Sequence, residues 1–202
     1  MTPQKRLFDL VLALVLVVVL AVPVLLLAVA LLVTQGRPLL YGSERMRSFD
    51  EGFTLWKFRS MKVVAEDSGV SGGDKSDRIT PMGRLLRGSR LDEIPQLWNI
   101  LRGDISFVGP RPPLRQYVER FPEVYRPVLR SRPGVTGLAT LRFHAREQAL
   151  LAPCRTAEET DAVYARRCVP VKGRLDLIYQ RHASVCYDAA LIWETVARVL
   201  LK

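Results

Sequence analysis

The sequence has little of what builds metal centres or cross-links. Three cysteines, Cys154, Cys168 and Cys186, fall 14 and 18 residues apart. That is neither Cys-x-x-Cys spacing nor an even-numbered disulfide set, and they read as inert reduced thiols suited to a reducing compartment. The two histidines, His144 and His182, lack metal-ligand spacing and read as structural. There are no internal repeats. No nucleic-acid-binding motif occurs, nor any basic recognition helix interleaved with aromatic stacking residues, so no nucleic-acid partner is expected. A formal net charge of +10 still calls for an anionic partner, which leaves an anionic membrane surface or a phosphorylated substrate.

Polarity itself is missing from residues 10–33, LVLALVLVVVLAVPVLLLAVALLV. A straight helix of this length reaches roughly 36 Å, against a bilayer core of about 30 Å. The run is too long for the apolar part of a signal peptide, and TQGR follows it without a small-residue cleavage site. Membrane association is therefore expected. Pro23, near the midpoint, removes a backbone donor and predicts a kink or break. Each half is then roughly 15–20 Å long, too short to cross alone. Lys5 and Arg6 precede the run, and Arg37, Arg45 and Arg47 follow it. Positive residues on both sides suit two ends in the cytoplasm. The preferred reading is a re-entrant hairpin that dips into one leaflet; a kinked spanning helix is the alternative, since membrane helices tolerate proline.

Beyond this segment, FTLWKFRSM from residue 53 alternates like a strand, and the polar EDSGVSGGDKSD (66–77) reads as a mobile loop. Pro95 suits a first helical turn. Ile94, Leu97, Trp98 and Leu101 follow at helical spacing, forming a face for the core or for a membrane surface. Gly103 ends that helix. DISFVGPRPP reads as a short strand and a stiff turn, YVERFPEVYRPVLRSRPG as helical pieces interrupted by proline, and GVTGLATLRF as a strand. Residues 147–167 are compatible with helix. YDAALIWETVARVLLK predicts an amphipathic helix, lying on a membrane or closing the core.

Asp92 and Glu93 stand side by side among Arg84, Arg87, Arg90 and Arg102. Neighbours on a helix point about 100° apart, so these acids do not form a facing pair that shares one proton. At a helix start, backbone N–H groups and nearby arginines favour their ionised forms. An ionised aspartate is a possible nucleophile or a ligand for a hard cation. It attacks a phosphate diester only if that charge is neutralised, which Arg87, Arg90, Arg111 and a Mg²⁺ ion would do. On local evidence alone the pair equally reads as a helix cap stabilised by arginine.

The company of the pair separates these readings. LDEIPQLWNILRGDISFVGPRP (91–112) resembles the monotopic polyprenyl-phosphate phosphoglycosyl transferases, the bacterial sugar transferases. KRLFD (5–9), the proline-broken apolar segment, KFRSM (57–61), RITPMGRLLR (78–87) and RPGVTGL (132–138) resemble the same family in the same order, over almost the whole chain. The resemblance implies transfer of a sugar-1-phosphate from a UDP-sugar to a polyprenol phosphate such as undecaprenyl phosphate, with release of UMP, at the cytoplasmic face of the bacterial inner membrane. It implies Asp92 as the nucleophile of a phosphosugar-enzyme intermediate and as the residue beside the required Mg²⁺, with Glu93 as base or orienter. Lys57, Arg59, Arg87 and Arg111 match basic positions for the substrate, and Lys5 and Arg6 a basic pair at lipid headgroups, with Pro23 at the membrane break. The expected fold is α+β: a membrane-anchoring segment over 1–36 and a small α/β catalytic domain over 37–202 with interfacial amphipathic helices, a minimal catalytic unit. A non-catalytic membrane adaptor that keeps the fold is the alternative. Two departures stand out. Val22 occupies a position where the family often has serine, and residues 142–171 are longer than usual, read as a surface elaboration. The motifs carry no mark of the sugar, the polyprenol or the oligomeric state.

Overall fold

The computed structural model describes residues 1–64, 70 and 73–201. It opens on one long helix, α1 (Pro3–Gln35). Thr2 starts it, its hydroxyl accepting from the Lys5 N–H at 3.3 Å. Gly36, at φ 66°, ends it and returns its N–H to the Leu32 carbonyl at 3.0 Å. The helix runs on through Pro23 without ending there. The proline ring is exposed, and one backbone donor is missing from the ladder there. Both ends of α1 pack on the same body. Ala13 is buried with Leu55, Ile100 and Ile105. Leu31 is buried with Phe58 and Leu86, with Val24 and Leu27 beside them. Between these contacts the helix is bare: Val18 and Val22 are 76% and 66% exposed.

Strands β1 (Leu40–Met46) and β2 (Gly52–Phe58) form an antiparallel hairpin that pairs Tyr41 with Lys57 and Arg45 with Phe53. The loop expected over 66–77 falls in part outside the described residues; Gly73–Arg78 forms a 3-10 turn. Thr80 caps α2 (Pro81–Ser89) by accepting from the Gly83 N–H at 2.9 Å. A second 3-10 turn, Leu91–Glu93, leads to α3 (Gln96–Arg102), which Gly103 closes at φ 86°. β3 (Ser106–Val108), α4 (Arg115–Arg120), α5 (Pro122–Val128) and β4 (Gly134–Thr136) follow, with β3 and β4 parallel. Helices α6 (Leu138–Leu151) and α7 (Ala157–Val163), a π-helical turn (Tyr164–Cys168), α8 (Val169–His182) and α9 (Val185–Leu200) complete the chain. Helices with two small two-stranded sheets make a mixed α and β architecture among the described residues.

The strand expected over GVTGLATLRF stops after three residues. Leu138 and Leu141, three apart, bury against Tyr179 and Leu191, and this helical spacing wins over the apparent alternation. The helix carrying Leu97 and Ile100 faces the core, while Trp98 points outward, 57% exposed. α9 closes the core through Leu191 and leaves Trp193 exposed. Asn99 binds α3 to the hairpin: its Oδ1 accepts from the Trp56 N–H at 3.1 Å, and its amide donates to the Thr54 carbonyl at 2.8 Å.

Lys5 and Arg6, expected at lipid headgroups, find partners within the protein. Lys5 Nζ pairs with buried Asp188 and donates to the Val108 carbonyl at 3.0 Å. The Tyr179 hydroxyl completes this junction, 2.7 Å from Asp188 Oδ1 and 3.2 Å from the Val108 oxygen. Arg6 donates to the Ile100 and Leu101 carbonyls at 2.6 and 2.7 Å. There it satisfies orphan acceptors at the negative end of α3. Such capping needs cations at the helix head, and a charge pattern alone does not distinguish it from headgroup contact.

Candidate active site

Asp92 and Glu93 sit in the 3-10 turn between α2 and α3, two residues before α3 proper rather than in its first turn. Arg90 makes the corner in the left-handed region, at φ 58°. Both acids are buried, 7% and 9% exposed, yet their surroundings differ. Glu93 is surrounded by cations. Its Oε1 accepts from Lys57 Nζ at 3.1 Å and from Arg111 Nη2 at 2.9 Å, and its Oε2 from Arg90 Nη1 at 3.4 Å. Burial alone would raise its pKa; Arg111, Lys57 and Arg90 outweigh burial and hold the carboxyl far below the usual range. Glu93 in turn raises the pKa of the Arg111 guanidinium, while burial lowers that of Lys57.

Asp92 accepts no hydrogen bond and forms no ion pair within 4.0 Å among the described residues. Burial pushes its pKa up and Glu93 adds to the rise, against the opposing charges of Lys57, Arg87 and Arg111. One acid is therefore saturated and fixed, and its neighbour is unengaged and faces three cations that leave its oxygens open.

A profile of the family described as bacterial sugar transferase matches residues 1–202. The chain belongs to the bacterial sugar transferase family. It is 32% identical over 166 residues to a UDP-glucose:undecaprenyl-phosphate glucose-1-phosphate transferase of Klebsiella pneumoniae, covering 80% of this chain and 36% of the relative. It is 31% identical over 196 residues to a protein of the same name from Escherichia coli (strain K12), covering 95% and 39%. It is also 29% identical over 197 residues to a UDP-N-acetylgalactosamine-undecaprenyl-phosphate N-acetylgalactosaminephosphotransferase of Aeromonas hydrophila, covering 92% and 42%. The chain spans about two fifths of the length of these curated relatives.

In this sugar transferase chain the cations expected at the acid pair arrive from separate elements. Lys57 comes from the end of β2, Arg87 from α2 and Arg111 from the loop after β3. Arg87 Nη1 is buried without a hydrogen-bond partner, a donor left open on the Asp92 side of the site. The Arg111 loop is set by close backbone packing. A Cβ on Gly134 would lie 2.2 Å from the Gly109 nitrogen, and one on Gly137 2.2 Å from the Gly109 oxygen, so only glycine fits either position. Arg59 is placed elsewhere: its Nη2 donates to the Gln35 and Gly36 carbonyls and closes the end of α1.

Arg90, expected from the sequence to help neutralise a phosphate, is instead paired with Glu93, as its three-residue spacing allows. His144, read as structural, lies on α6 in the field of Arg90 and Arg111. Burial comes first in lowering its pKa to about 4, and the two arginines lower it further, so the ring is neutral near pH 7. No sequence signal places it there, because the position depends on where α6 docks.

Among the described residues no three His, Cys, Asp or Glu side chains gather as a metal cage. With Glu93 occupied by cations, Asp92 is the one carboxylate of the pair with oxygens to offer. Such a donor set fits Mg²⁺, which is commonly held by one or two carboxylates together with substrate phosphates.

Proposed function

We propose that this protein transfers a sugar-1-phosphate from a UDP-sugar to undecaprenyl or a similar polyprenol phosphate at the cytoplasmic face of the bacterial inner membrane, as a first membrane step of glycoconjugate biosynthesis. The observation that carries this reading is the contrast between a clamped Glu93 and an unengaged Asp92, in a chain of this family. The relatives' names support the substrate classes, and they differ in the sugar.

An Asp92 carboxylate oxygen attacks the phosphorus next to the sugar. The phosphoanhydride bond breaks and UMP leaves. An oxygen of the polyprenol phosphate then attacks the same phosphorus, the Asp92–phosphorus bond breaks, and the product is a polyprenyl-diphosphate sugar. Lys57, Arg87 and Arg111 neutralise the phosphate oxygens so that an anion can approach an anion. Glu93, saturated and ionised, orients Lys57, Arg90 and Arg111 and is a poor proton acceptor. Asp92 is the residue that would hold Mg²⁺, which would supply further charge neutralisation. Two steps through one aspartate let a soluble donor and a lipid acceptor use the site in turn.

The docking of both ends of α1 on one body supports a re-entrant anchor, because a helix that crossed the bilayer would leave one end on the far side. The expected result is Mg²⁺-dependent UMP release from a UDP-sugar in the presence of polyprenol phosphate, abolished by Asp92→Asn. Turnover retained in Asp92→Asn would sink the nucleophile assignment.

A further inference from the structure

A second cleft, of about 500 Å³, opens where the end of α1 meets the start of α2. Neither Asp92 nor Glu93 lines it. Its polar lining comes from Thr34, Gln35, Arg59, Lys62 and Thr80, with Pro81 and Met82 on its apolar side and no carboxylate among the described lining residues. The donors outnumber the acceptors. Thr80 Oγ1 lies 3.0 Å from Gln35 Oε1, which leaves Gln35 Nε2 buried without a partner; Arg59 Nε is buried without one too. The Lys62 side chain is exposed and has no partner among the described residues. Two cations, Arg59 and Lys62, with no carboxylate among the described lining residues make the cleft complementary to a phosphate.

The setting identifies what carries the phosphate. The cleft lies at the last turn of the apolar helix, where Val33 is 81% exposed. Val63, next to Lys62, is 67% exposed. Apolar side chains therefore border the cationic cleft where a lipid anchor would meet headgroups. Juxtamembrane lysines and arginines in this arrangement attract anionic lipids. We propose that this cleft holds the phosphate headgroup of an anionic phospholipid, at a position separate from the reacting phosphates. The ligand fixes the end of α1, to which Arg59 is already bonded, relative to β2 and so to Lys57 two residues earlier. The inference rests on the membrane placement proposed above but not on the chemistry at Asp92.

The test uses the full chain purified in detergent, titrated with short-chain phosphatidylglycerol, short-chain phosphatidylcholine and inorganic phosphate, and read as dissociation constants. Phosphatidylglycerol should bind at least tenfold more tightly than phosphatidylcholine or inorganic phosphate. Lys62→Gln should weaken it about fivefold, the contribution of one juxtamembrane cation. Asp92→Asn should bind it as the wild type does, so failure of the transferase chemistry would leave this result standing. Equal binding of phosphatidylcholine, equal binding of inorganic phosphate, or an unchanged constant in Lys62→Gln would each overturn the proposal.

Discussion

Neutralising each acid of the pair in turn should move stability in different directions. Glu93→Gln removes the charge that Lys57, Arg90 and Arg111 share at 3.1, 3.4 and 2.9 Å. Removing one partner from a buried ionic network costs about 3–5 kcal/mol. Asp92 stays in the field of Lys57 and Arg111 and offsets part of the loss, which favours the lower end, about 3 kcal/mol. For a chain of this size that corresponds to a fall in Tm of about 6–12 °C. Asp92→Asn breaks no hydrogen bond and removes a carboxylate whose ionised form burial disfavours, so its Tm should stay the same or rise slightly. Activity follows another order: Asp92→Asn loses turnover altogether, while Glu93→Gln keeps the nucleophile and loses alignment. Thermal unfolding of the detergent-solubilised protein, measured beside UMP release, checks both. Equal falls in Tm for the two variants would refute the division into a fixed and an unengaged acid.

Two further outcomes follow from the fold. Single cysteines at Thr2 and Arg37, in a background free of native cysteine, should both label with a membrane-impermeant reagent only from the cytoplasmic side; labelling of one from outside would establish a spanning helix. Burial raises the pKa of Asp176 to about 7, against the opposing pull of Lys172. The unfolded carboxyl ionises near pH 4, so between about pH 4 and 7 the native state binds the extra proton and stability falls as pH rises. Three units at about 1.4 kcal/mol each set a ceiling of about 4 kcal/mol. Asp176→Asn should therefore gain stability over the wild type at pH 8 and gain little at pH 5; parallel pH profiles would contradict this.

The chemistry of this chain was more legible than its geometry. The order of KFRSM, the acid pair and PRP brought Lys57, Asp92, Glu93 and Arg111 to one reading, and the structure gathers those four side chains. Local pattern failed where packing decides. GVTGLATLRF alternates, but the burial of Leu138 and Leu141 makes it a helix after Thr136. Nor does local pattern announce that Lys5 pairs with a buried acid and that Arg6 and Arg59 cap helix ends. These roles depend on partners 183, 94 and 24 residues away in sequence, beyond the reach of any local window. His144 is the opposite case, an unremarkable residue given a setting by the docking of α6.

The junction at Lys5 bears on how the protein is made. Lys5 emerges from the ribosome long before Asp188, and until α9 docks its ammonium lacks the carboxylate that neutralises it in the finished protein. The apolar helix therefore begins with a charged head whose carboxylate partner is supplied only by α9. The Lys5 end of α1 thus gains its last ion pair only once α9 is in place, and a chain stalled before α9 should hold that end less firmly.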